Sequence, residues 1–156
     1  MTHSAKIFIW TAALFATAGA LGCSSTVEPE RVALPVSALV TFAFTGKPAD
    51  TMKVFISDTA TISAAQSFIA TGRGPHLLIG TIIRGAGVDT RYPFQFVPQT
   101  VRLVDAAIEL CDGAPMQTSS DVDDFIQGAT GNRAASSATW CPWSSYPVQV
   151  QLLLPD

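Results

Sequence analysis

The chain has 156 residues, a formal net charge of −3, 48% hydrophobic residues and only 13% charged ones. That length gives a single domain able to bury a core of its own. A mildly acidic chain with scattered arginines carries no basic footprint for nucleic acid and no polybasic patch for a membrane surface.

The first residues, MTHSAKIFIWTAALFATAGALGC, hold one cation, Lys6, and no acid before an apolar run from Ile7 to Leu21. This is an export-signal pattern, and the run is shorter than the ~20 residues of a membrane-spanning helix. Its end, Ala20-Leu21-Gly22-Cys23, resembles a bacterial lipobox with Leu21 one position late. The expectation is a signal peptide over 1–22, a lipid on Cys23 and a tether over 23–37. Ordinary cleavage after Ala18 or Ala20 is the alternative. Ser24 points to the outer membrane, and without the lipid the protein would be periplasmic or secreted. Loss of Lys6 makes the mature chain one unit more negative. The segment SSTVEPERVALP has two prolines and no periodicity, as a tether would.

With Cys23 lipidated, Cys111 and Cys141 remain, 30 residues apart. An even pair in an oxidising compartment predicts a disulfide contributing about 3–4 kcal/mol, with free buried thiols as the alternative. No Cys-x-x-Cys supports redox catalysis. One mature-chain histidine, His76, is too few for zinc. No cofactor or metal is expected.

The domain, 38–156, opens with ALVTFAF, whose Val40, Phe42 and Phe44 share one face of a strand. TGKPAD reads as a six-residue turn into a second alternating strand, Met52–Ser57. Asp58 offers a helix cap, with Ile62, Ala65 and Ile69 at helical spacing, Phe68 beside them and a stop at Gly72. Leu77–Ile83 reads as a central strand buried on both faces. Phe94 and Phe96 mark a short strand. Thr100–Asp112 reads as a longer extended run bent near Asp105, or as a helix over DAAIEL.

A second helix starts at Ser119 or Ser120, with Asp121, Asp123 and Asp124 suiting its positive end and Val122, Phe125 and Ile126 facing inward. GATGNRAASSAT reads as an exposed loop. TWCPWSS follows, then a closing strand with Val148, Val150, Leu152 and Leu154 on one face. Hairpin-linked strands with few helices give an α+β fold: a mostly antiparallel sheet, two helices and one disulfide.

Taken together, FISDTATISAAQSFIATG, IGTIIRGAGVD, VPQTVRLVDAAIELCDGAP and WCPWSS resemble the calmodulin-binding-protein N-terminal domain family, named from a slime-mould protein. IELCDG followed by WCPWSS is the most specific pair, and the resemblance spans about Ala38–Val150. Where the family has Trp-Ser-x-His-Leu-Asp-Pro, this chain has Pro93-Phe94-Gln95-Phe96-Val97-Pro98, without the histidine and aspartate. Calmodulin binding does not transfer, because an exported bacterial lipoprotein would not meet calmodulin.

Trp140 and Trp143 lie three apart, so in an extended segment one packs inward and the other faces away. The candidate binding surface is Phe94, Phe96, Glu109, Asp112, Trp140 and Trp143. Glu109 sits in an apolar run, where Arg84, Arg91 or Arg102 could pair with it. Three functional readings follow. The first is a lipid-anchored, non-catalytic envelope module that binds a protein or peptide. The second is a peptidase inhibitor with a disulfide-braced loop. The third is a hydrolase-type enzyme with a carboxylate site around Glu109.

Overall fold

The computed structural model describes residues 36–153, apart from the side chains of Pro48 and Glu109. The signal segment, Cys23, nearly all of the tether and Leu154 lie outside the described residues. Two antiparallel sheets and two helices enclose one core, which is the expected α+β class with mostly antiparallel strands.

The first sheet has the order β2-β1-β7, with β1 at Ser37–Phe44, β2 at Lys47–Ile56 and β7 at Ser145–Leu153. Alternation sends Ala38, Val40 and Phe42 of β1, and Met52, Val54 and Ile56 of β2, into the core. The β1–β2 connection is tighter than the sequence suggests. Phe44 pairs with Lys47, so only Thr45 and Gly46 turn the chain, and Gly46 takes φ 80°. β7 also departs from expectation. The register shifts between Thr41 and Phe42, whose partners are Gln149 and Pro147. Val148 falls in this bulge and is exposed, as is Leu152, so of the predicted inward row only Val150 packs against the core.

Helix α1 spans Thr59–Thr71. Asp58 caps it by accepting from the backbone N–H of Thr61 at 2.8 Å, and Gly72 ends it with φ 67°. Hydrogen bonds from the Thr61 hydroxyl and backbone hold the Asp58 carboxyl below its ordinary range. Thr61, Ile62 and Ala65 are buried, whereas Ile69 in the last turn is exposed and Phe68 stacks on His76.

The second sheet is built around β3, Leu77–Arg84. It pairs with β4 (Phe94–Phe96) over Ile82–Arg84, with β5 (Arg102–Val104) over Leu77–Ile79, and with β6 (Ser137–Trp140) over Gly80–Ile83. Between β4 and β5 lies a 3₁₀ turn, Pro98–Thr100, which leaves Thr81 bonded to Val97 and Thr100. β3 is buried on one face only: Leu78 and Ile82 are inside, while Leu77, Ile79, Thr81 and Ile83 are half-buried. The expected long strand or helix over Thr100–Asp112 is neither. After three residues of β5 the chain leaves the sheet and closes a 3₁₀ turn at Glu109–Cys111, because Cys111 must meet Cys141.

Helix α2 runs Ser119–Thr130, capped by Thr118 and not by a serine. The Thr118 hydroxyl accepts from the Asp121 backbone N–H, and the Asp121 carboxylate accepts from the Thr118 N–H, a reciprocal capping box. Those bonds hold the Asp121 carboxyl below its ordinary range. Val122 and Ile126 are buried and Phe125 packs against the core. The expected loop Gly128–Thr139 is mostly structured, since α2 continues to Thr130, Gly131 caps it and β6 begins at Ser137.

Candidate functional site

The two segments around the cysteines run side by side. Cys111 and Cys141 form the predicted disulfide, with Cα atoms 5.1 Å apart. The Cys141 N–H donates to the Cys111 carbonyl at 2.7 Å, and the Trp143 N–H donates to Asp112 Oδ1 at 2.9 Å. Trp140 Nε1 donates to the Gly113 carbonyl at 3.3 Å. Near this bridge Ile108 and Leu110 are 68% and 83% exposed, and Trp143 is 41% exposed.

Trp140 is fully buried. Its ring meets Phe94 edge-on at 5.2 Å and stacks on Phe96 at 5.7 Å. The two tryptophans therefore separate, one inside and one outside. The six predicted surface residues do not form one surface. Phe94, Phe96 and Trp140 are core residues, because their strands turn them toward the first sheet, and Asp112 and Trp143 are at the disulfide corner. Glu109 contributes its backbone to the 3₁₀ turn, and its side chain lies outside the described residues. Two of its expected arginine partners are engaged elsewhere: Arg84 pairs with Asp123 at 2.5 Å and Arg91 with Asp89 at 2.6 Å.

Asp89 and Arg91 lead to a feature that the sequence did not single out. The loop between β3 and β4 is fastened to the edge of β2. Asp89 Oδ2 accepts the Lys53 N–H at 3.0 Å, while Arg91 and the Tyr92 hydroxyl both donate to the Thr51 carbonyl, at 2.7 and 3.0 Å. Asp89 is 8% exposed. The side-chain hydrogen bond from Arg91 is the main cause that holds its carboxyl below the ordinary range, against the opposing effect of burial. Asp89-Thr90-Arg91 is a local turn signal, since the Arg91 N–H returns to Asp89 Oδ1 at 3.3 Å. Nothing local says that this turn docks on β2.

Beside this Asp89–Arg91 staple is a pocket of about 180 Å³ between β2 and β4. Met52, Val54, Tyr92, Phe94, Phe96 and Pro98 supply apolar wall, with Lys53, Asp89 and Gln95 as its polar groups. The volume is comparable with the ~150 Å³ of a cavity that holds a benzene ring. It fits one large apolar side chain. Phe94 and Phe96, predicted as surface, thus line a pocket from the core side.

The family model of the calmodulin-binding-protein N-terminal domain matches residues 38–152. The chain belongs to this family. It is the one that the sequence motifs resemble, and the match covers every strand and helix of the core apart from the ends of β1 and β7. No curated protein and no solved structure matches the chain. In this member the segment that departs from the family pattern, Pro93–Pro98, is the one that forms β4 and lines the pocket. Phenylalanines stand where the pattern has polar residues.

Proposed function

We propose that this family member is a non-catalytic binding module, exported and held on the bacterial cell envelope by a lipid on Cys23. Its ligand is a protein or peptide taken at the pocket between β2 and β4. The observation that carries the reading is the pocket itself: an aromatic wall, a few polar groups and the backbone edge of β2 converge on one concave site. The export pattern and the position of Cys23 support the anchor, and the disulfide supports an oxidising compartment.

Val88 lines the pocket and is 52% exposed, so a long side chain there blocks the mouth without entering the core. The test is affinity capture from the native envelope with the wild-type protein and the Val88→Arg variant. A partner retained by the first and lost by the second supports the reading. A partner retained equally by both moves the binding surface elsewhere, and no partner at all removes the reading. For the anchor, Cys23→Ser is expected to shift the protein from the membrane to the soluble fraction and to abolish acyl mass.

A further inference from the structure

The edge of β2 is only half covered. Lys53 turns its N–H outward to Asp89 and Thr51 turns its carbonyl outward to Arg91 and Tyr92. Backbone groups alternate along an antiparallel strand, so the next outward pair is that of Phe55. Opposite it on β1, Leu39 shares the non-hydrogen-bonded register of the Thr41–Lys53 pair. Among the described residues the N–H and carbonyl of Phe55 have no partner. The pocket opens at this place, with Val54, Phe55, Phe96 and Pro98 in its wall. Lys53 is exposed beside it and makes no ion pair among the described residues, where the two ion pairs are Arg84–Asp123 and Arg91–Asp89.

We infer that the occupant is a short extended peptide of a partner protein, added to the β2 edge. This rests on the binding reading above and deepens it. One peptide residue exchanges both backbone hydrogen bonds with Phe55. In antiparallel register the next residue lies beside Val54 and puts a large apolar side chain into the pocket. The one after it lies opposite Lys53 and is acidic, complementing that cation. The staple of Asp89, Arg91 and Tyr92 ends the pairing at Lys53, so the recognised segment is short. Main-chain bonds supply affinity, and the pocket with Lys53 supplies the order apolar-then-acidic.

The test uses full-length protein in detergent and the peptides Ac-TTLETT-NH2, Ac-TTITETT-NH2 as a spacing control, and versions of the first with Ile, Phe or Met for Leu. The readouts are amide shifts and hydrogen exchange at Phe55, with side-chain shifts at Val88 and Phe96. At peptide concentrations of ~1 mM, the first series is expected to shift and protect the Phe55 amide. Methylating the peptide nitrogen opposite Phe55 is expected to weaken binding at least ~10-fold, and Glu→Lys in the peptide or Lys53→Glu in the protein about 3–10-fold. Shifts at Val88 and Phe96 without protection of Phe55, or equal binding of the methylated peptide, overturn strand addition and leave the pocket reading standing. No shift from any peptide overturns the peptide chemistry, while the capture experiment decides the binding reading separately. A Phe55 amide already protected in the free protein means that another part of this chain fills the edge, and that too overturns it.

Discussion

The two sheets are held together in different ways. β1, β2 and β7 are 8, 10 and 9 residues long and pair along nearly their whole length. Around β3, by contrast, the partners β4, β5 and β6 have 3, 3 and 4 residues. Ladders that short cannot fix their own register. Side chains do it: Trp140 between Phe94 and Phe96, the disulfide, and the Asp89–Arg91 staple on β2. A long regular strand carries its placement in its pattern, whereas a short one borrows it from anchors far away in sequence.

The largest effect expected from breaking this difference is at Trp140. Trp140→Ala removes the ring that joins β6 to β4, and urea unfolding is expected to show a loss of about 3–5 kcal/mol. A loss near zero would mean that the short ladders hold themselves. Next comes the disulfide. Replacing Cys111 and Cys141 by serine is expected to cost about 2–4 kcal/mol, with amide exchange rising first at β6 and the 108–113 segment and later in the first sheet. Uniform loosening of both sheets would remove the contrast.

Gly80 gives a smaller and sharper test. A Cβ there would lie 2.8 Å from Cδ1 of Phe96 and 3.4 Å from the Val101 backbone. Phe96 is buried against Trp140 and has little room to move, so Gly80→Ala is expected to cost about 1–3 kcal/mol in thermal or urea unfolding.

Asp89→Asn weakens the staple and should cost about 1–2 kcal/mol at neutral pH. Its folded carboxyl titrates below the ordinary value near ~3.9, so the ionised form contributes stability above that value. That stability is lost as pH falls through the folded value. The gap between wild type and variant should therefore be full at neutral pH and close below about pH 4, as read from urea midpoints across pH. A gap independent of pH would deny the charge its role. The smallest change is expected at the exposed apolar residues: Leu110→Ser and Leu152→Ser should each stay within about 0.5 kcal/mol.

Much of the fold was legible in local chemistry. Alternation placed β1, β2 and β4, Asp58 and Gly72 bounded α1, and two cysteines in an exported chain gave the disulfide. These depend on interactions within a few residues, or on a count. The capping box of α2 was legible too, as Thr118-x-x-Asp121, although the serines beside it compete for the same role. Misread elements were those whose state is set from outside. Val148 faces away from the core because β1 and β7 shift register, and Thr100–Asp112 breaks because Cys111 is tied to Cys141.

The candidate site divides in the same way. The sequence by itself determined that aromatic residues cluster near the second cysteine and in β4, that one tryptophan faces away from the other, and that the family pattern changes at Pro93–Pro98. Only the tertiary structure decided that Phe94, Phe96 and Trp140 stack in the core, that Asp89 and Arg91 fasten a loop to β2, and that a pocket opens at Phe55. Each of these joins residues some 35 or more positions apart in the chain, apart from the Phe94–Phe96 pair, so its energy comes from packing and hydrogen bonding between segments that no local pattern connects.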